Sequence, residues 1–245
     1  MTVECTVRDD RDFLLASLTG RLTMTDISRV RIHLFKCLAE QPQALLIDLS
    51  GLMVGDKMAL AVFTAVARQA AVWPGTPILL CSATPHTSVM LAGAAYRRIP
   101  RFPSVDAALE HMANGGHVMP TITETLLPIA GAPRHSRNLA TEACARWNVP
   151  ELTAAASLVC SELISNVIDH ARTMMTLRLS LGSKFLFVAV RDGSVVEPRI
   201  GPVRPGALRG RGLQIVAVTA HSWGCLPATD GKVVWASLRL RSPGP

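Results

Sequence analysis

The chain has 245 residues, room for one large domain or two of ordinary size. Hydrophobic residues make up 49%, charged residues 18%, and mean hydropathy is +0.30, which supports filled cores and excludes a disordered chain. The net charge of +7 lies mostly in the second half: residues 1–116 carry 11 basic and 10 acidic groups, whereas residues 117–245 carry 14 and 8.

A basic half suits nucleic acid, an acidic protein partner or a bound polyphosphate. One Tyr and six Phe leave few stacking platforms, which disfavours nucleic acid. The first residues, MTVECTVRDDRD, are polar and acidic and read as no signal peptide. No charge-free apolar run reaches the roughly 18–20 residues that span a bilayer. The expectation is a soluble, cytoplasmic protein without a membrane partner. Cys5, Cys37, Cys81, Cys144, Cys160 and Cys225 show neither CxxC nor Cys/His ligand spacing, so they read as reduced, core-packed thiols.

In chain order, DFLLASLTGRL (12–22) predicts a strand and turn, and DISRVRIHLFKCLAE (26–40) a helix with an acidic start. ALLIDLSG (44–51) is a buried strand, and DKMALAVFTAVARQAAVW (56–73) a helix. PILLCSA (77–83) is a second buried strand, followed by helices over 85–99 and 104–113. Strands alternating with helices predict an α/β domain over 1–114, which Asn114-Gly115-Gly116 punctuates.

This half resembles the STAS domain of anti-sigma-factor antagonists. The resemblance lies in the order of elements, in LTGRL (18–22) and in LLIDLSGLMVGDKMALAVF (45–63). Asp48 and Asp56 match that family's two acids, while Lys57 stands where its phosphorylatable Ser belongs. The resemblance therefore implies a domain that has lost its phosphoacceptor.

A second domain is expected over 117–245. TITETLLPIA (121–130) reads as a strand and APRHSRNLATEACARWN (132–148) as a helix, with Pro133 in its first turn. A helix over about 150–172 contains SELISNVIDHA (161–171). There Glu162, Asn166 and His170 recur every four residues, a polar stripe beside apolar Leu163, Ile164, Val167 and Ile168. MTLRLSLGSKFLFVAVRDGS (175–194) predicts two strands joined at Gly182-Ser183. Residues 195–212 show no periodicity and read as a lid rich in Gly, Pro and Arg, with Arg199, Arg204, Arg209 and Arg211 on or beside it. LQIVAVTAHSW (213–223) predicts a helix, and 224–240 a hairpin turning at Asp230-Gly231. Helices on one face of an antiparallel sheet make an α/β sandwich.

By spacing alone, Glu162 and Asn166 are an ordinary polar stripe, and His170 and Asp169 are structural or solvated. Beside a nucleotide they acquire chemistry. Asn offers a neutral oxygen suited to Mg²⁺, and a Glu one turn earlier can orient or deprotonate a nucleophile. Asp192 at a strand end can accept from an adenine amino group. Gly210 and Gly212 would let backbone N–H groups approach phosphates at a helix start.

Together these pieces resemble the GHKL (Bergerat) ATP-binding fold, most of all the compact anti-sigma-factor kinases of actinobacterial type. The motifs are Glu162 to Asn166, VRDGS (190–194), GRGL (210–213) and SWG…DGKVVWASL (222–238), four in order over about 120 residues. Asp192-Gly193-Ser194 stands where Asp-x-Gly is usual. The resemblance implies Glu162 as general base and Asn166 as Mg²⁺ ligand. Nucleotide would be held by Asp192, Gly193, Arg209, Gly210, Arg211, Gly212 and Leu213. It implies ATP and Mg²⁺ as cofactors, and a serine/threonine kinase acting on a separate STAS-type antagonist. A sigma factor is the expected second partner, in a partner-switching circuit, and related kinases commonly form homodimers. Lys232 and Trp235 read as strand surface and core. The lost phosphoacceptor at Lys57 motivates a rival from another class, a non-catalytic sequestering protein with a vestigial nucleotide site.

Overall fold

Phe13–Leu22 alternates half-exposed and buried side chains, as a strand with one covered face requires. Ala44–Asp48 and Ile78–Cys81 are instead continuous apolar runs, buried on both faces, the signature of inner parallel strands. These differences organise the first of two compact units, Met1–Val118 and Met119–Pro245. The structure is a computed structural model and describes residues 3–10, 13–115, 119–200 and 211–240.

In the first unit β1 (Glu4–Asp10) runs antiparallel to β2 (Phe13–Leu22), and β3 (Ala44–Asp48) lies parallel to β2. β4 (Leu52–Val54) pairs with the end of β2, while β5 (Ile78–Cys81) and β6 (Arg101–Phe102) extend the sheet to the order β1-β2-β3-β5-β6. The helices are α1 (Ile27–Ala39), α2 (Ala61–Val72), α3 (Pro85–Leu91) and α4 (Val105–Gly115). The α/β expectation stands. β1, for which no strand was expected, is an edge strand that carries the exposed charges Glu4, Arg8 and Asp9. The helix expected over 85–99 stops at Leu91. Gly93 is extended (φ −60°, ψ 154°), and only a short 3-10 turn, Ala94–Tyr96, follows.

The second unit is an antiparallel sheet under helices. Its strands are β7 (Thr121–Leu126), β8 (Met175–Leu181), β9 (Phe185–Asp192), β10 (Ser222–Pro227) and β11 (Lys232–Arg239), in the order β10-β11-β9-β8-β7. α5 (Ala132–Arg146), α6 (Thr153–Asn166) and α7 (Gly212–Thr219) complete it. Val159, Cys160, Leu163, Ile164 and Val167 bury the inner side of the α6 helix against Leu177, Leu179, Val188, Val190, Val234 and Ala236. Each such side chain contributes about 1.5–3 kcal/mol of transfer free energy. The continuous helical stretch Pro150–Ala171 is long and apolar enough to cross a membrane, but its apolar face packs in this core.

Two expectations need correction here. The helix predicted over 213–223 ends at Thr219, because Ser222 and Trp223 pair with Ser237 and Ala236 in the sheet. The helix predicted to about 172 is not α-helical throughout. Val167–Ala171 widens into a π turn, closed by the Arg172 N–H donating to Val167 O at 2.7 Å. Arg172 itself is left-handed (φ 56°) and ends the helix.

Candidate functional site

The α6 helix carries both halves of the predicted stripe. Glu162 is half-buried, and burial pushes its carboxyl above the ordinary range. Asn166 closes α6, half-buried, and among the described residues no hydrogen bond reaches its side-chain amide. His170 does not continue the stripe at α-helical spacing. It falls in the π turn and is exposed, as is Asp169. A π turn at the end of the acidic-amide stripe is the type of local irregularity that concentrates at functional sites.

Glu162 faces the first residue of α7, fifty positions along the chain. A Cβ built on Gly212 would lie 2.7 Å from Glu162 Oε2. A side chain at 212 would make the Glu162 carboxylate end turn aside, so glycine leaves this approach open, and the two predicted motifs meet in space. Leu213 turns into the core and could offer only its backbone to a ligand. Arg211 is exposed at the N-cap of α7. Arg199 is also exposed, while Arg204, Arg209 and Gly210 lie outside the described residues.

The far end of the same helix ties to Asp192. The Gly193 N–H donates to Thr173 Oγ1 at 3.0 Å, directly after the π turn. About 14 Å of helix separates Glu162 from Ala171, at 1.5 Å per residue. One end of the helix thus meets the glycine-opened α7 and the other meets the Asp192-Gly193 corner.

Asp192 shares the core-facing side of β9 with Val188 and Val190 and is 2% exposed. Its Oδ1 accepts from Lys232 Nζ at 2.8 Å and from the Ser194 N–H at 2.8 Å. Its Oδ2 is buried and has no hydrogen-bond partner among the described residues. An unsatisfied buried carboxylate oxygen is costly in a folded protein and marks a place prepared for a donor. Sequence reasoning placed Lys232 on the strand surface, and the structure overturns that. Lys232 is 5% exposed and also donates to Ser194 O at 3.2 Å. The reason is register. β11 lies beside β9 with Lys232 opposite Asp192, a pairing invisible until the strand order is known. Gly231 makes it possible, since any Cβ there would run into the Asp192 carbonyl. Trp235 is core, as expected.

These residues suit the expected group. Among the described residues, Asp192 Oδ2 lacks the donor an amino group would supply, and the Asn166 amide engages no partner. Among the described residues no cluster of three or more His, Cys, Asp or Glu could hold a metal unaided. Mg²⁺ at Asn166 would therefore share its coordination with phosphate oxygens and water.

The first unit handles its acids differently. Asp48 accepts from the Ser50 N–H and Oγ, both at 3.0 Å, and Asp56 Oδ1 accepts from the Met58 N–H at 2.8 Å. Lys57 is exposed at the start of the short helical turn Lys57–Leu60. Met24, Met53 and Met58 are exposed nearby on adjoining segments. All six cysteines are free, and burial raises Cys37 and Cys81 to about 12 and Cys225 to about 11, so these thiols are poor nucleophiles.

No protein-family model and no curated protein matches the chain. Several solved structures do. An anti-sigma factor antagonist from Mycobacterium paratuberculosis is 21% identical, covering 46% of this chain and 95% of its own, with a TM-score of 0.39. A variant of RsbS from Moorella thermoacetica is 19% identical over 45% of this chain and 95% of its own, TM-score 0.40. The anti-sigma factor antagonist SpoIIAA in its unphosphorylated form is 12% identical over 46% and 100%, TM-score 0.38. At these identities and scores, function has to be argued from the side chains.

Proposed function

We propose that this chain is a regulatory ATP-binding protein, a serine/threonine kinase of the anti-sigma-factor type. Residues 117–245 would bind Mg·ATP, and residues 1–114 would be a STAS-like module without a phosphoacceptor. The observation that supports this best is the meeting of Glu162 with Gly212, which joins two motifs fifty residues apart at one helix start. Asp192 with its unpartnered oxygen supports the base-binding end.

ATP would supply the transferable phosphoryl group, and Asn166 Oδ1 would be the protein's ligand to Mg²⁺. Glu162 Oε takes the proton of the attacking Ser or Thr hydroxyl, and burial, by raising its proton affinity, suits it to that task. The backbone N–H groups at the start of α7 orient phosphate oxygens, helped by the helix dipole. Asp192 Oδ2 accepts from the adenine amino group. The substrate would be a separate STAS-type antagonist, with a sigma factor as the competing partner. Tethering both modules in one chain raises their effective concentration for one another.

The test is transfer of labelled γ-phosphate from ATP to a STAS-type antagonist. Wild type should transfer, and Glu162→Ala should bind ATP but lose transfer by a factor of about 100 or more. A second reading is favoured by Lys57, exposed where the resemblance places a phosphorylatable Ser. It is a sequestering protein without catalysis. In that case wild type transfers nothing and Glu162→Ala leaves partner binding unchanged.

A further inference from the structure

Asp192 and Lys232 form a buried pair with capacity left over on both sides. Lysine carries three N–H donors. Two have acceptors here, Asp192 Oδ1 at 2.8 Å and Ser194 O at 3.2 Å. No third acceptor for Nζ is found among the described residues. Asp192 Oδ2 is likewise buried and unpartnered. One free acceptor and one free donor thus sit side by side on the core-facing side of two adjacent strands, at the corner that Thr173 and Gly193 close. A pair kept only for stability would be expected to satisfy both groups, because each unmet polar atom in a buried site costs free energy.

We infer that Lys232 is a base-reading residue. Its third N–H donates to adenine N1, while Asp192 Oδ2 accepts from the neighbouring amino group. This rests on the proposed reading of the site as nucleotide-binding. Adenine presents one amino donor beside one ring acceptor on that edge, which matches one free oxygen beside one free N–H. Guanine presents a carbonyl acceptor beside two donors, a ring N–H and an amino group. To take both donors Asp192 would need two free oxygens. Oδ1 is already occupied by Lys232 and by the Ser194 N–H, so a guanine amino proton would remain unmet. Buried, unpaired polar groups of this type are what give binding sites their strong discrimination. Lys232 therefore does two things: it fixes Asp192 in place, and it restricts the base to a 6-aminopurine.

The test compares Mg²⁺-dependent binding of three nucleotides to the full chain. These are ATP, the ATP analogue with N1 replaced by C–H, and GTP. Wild type should bind the analogue and GTP at least about tenfold more weakly than ATP, as expected for loss of a hydrogen bond to a charged group. In Lys232→Met, ATP and the analogue should bind alike. If Lys232→Met does not fold, the wild-type comparison of ATP with the analogue decides alone. Equal affinity of wild type for ATP and the analogue overturns the inference and leaves the nucleotide site standing. GTP binding as tight as ATP overturns it too. If wild type binds no ATP at all, the nucleotide site itself falls and the inference with it.

Discussion

Two buried aspartates, one in each unit, show how differently the same residue can be used. Asp26 of the first unit is 5% exposed and fully spent. Its Oδ2 accepts from the Thr23 N–H at 3.0 Å and from Thr23 Oγ1 at 2.7 Å, and its Oδ1 pairs with Arg29 at 2.9 Å. Its side-chain partners Thr23 and Arg29 lie three residues to either side, the Val3 backbone adds a contact, and it closes a turn. Asp192 is as deeply buried, but one oxygen takes two partners and the other none. Its lysine comes from forty residues away through the sheet. A carboxylate that satisfies itself locally is architecture. One held from a distance with an oxygen unmet keeps capacity for a further donor. Glu162 belongs with Asp192 in this respect, since its carboxylate meets the start of another helix rather than its own turn.

The comparison breaks most visibly if Lys232 is removed. Lys232→Ala leaves a buried carboxylate without its counter-ion and should cost about 3–5 kcal/mol in denaturant unfolding, with the loss confined to the second unit. A loss under 1 kcal/mol would mean that the pair is solvated. Next in size, Gly212→Ala would turn the Glu162 carboxylate away from the start of α7 and should weaken ATP binding about tenfold. Gly131→Ala is the matched control. A methyl there meets nothing within 4 Å, and the backbone (φ −78°, ψ −20°) accepts alanine. It should stabilise by about 0.4–1 kcal/mol and leave ATP binding alone.

The two kinds of acid should also titrate with opposite sign. The hydrogen bond from the Thr23 side chain, with Arg29 beside it, holds Asp26 below its ordinary 3.8. Its contribution is therefore present above that value and lost as pH falls through the lower native one. Asp26→Asn should destabilise at neutral pH, and the difference from wild type should vanish in acid. Glu162 is raised above its ordinary 4.5 by burial. Its contribution is present below 4.5 and lost as pH rises through the higher native value, so Glu162→Gln should gain stability relative to wild type at neutral pH. Unfolding curves at pH 3 and pH 7 read both signs.

Most of the element order was legible because periodicity and turn residues report it directly. The inner strands 44–48 and 78–81, the helices over 132–146 and 153–166, and the Asp230-Gly231 turn all lie where apolar spacing and glycine put them. The edge strand Glu4–Asp10 was not legible, since its charged residues suppress the apolar signal that marks a strand. The π turn was hidden as well, because Val167–Ala171 has ordinary helix-compatible composition. In the site, spacing alone made Glu162 and Asn166 an ordinary stripe, whereas Glu162, Asn166, Asp192 and Gly212 stood out as motifs of the resemblance. Lys232 did not, because its partner lies forty residues back and only the pairing of β11 with β9 brings them opposite.

The proposed function requires a Mg²⁺-dependent nucleotide site within residues 117–245. Calorimetric titration of the full chain with ATP, with and without Mg²⁺, tests it most directly, alongside Asn166→Ala. The account predicts saturable, Mg²⁺-dependent binding to wild type that the substitution weakens by at least about tenfold. Absence of binding by wild type at millimolar ATP would contradict it, and the chain would then be a two-unit interaction protein.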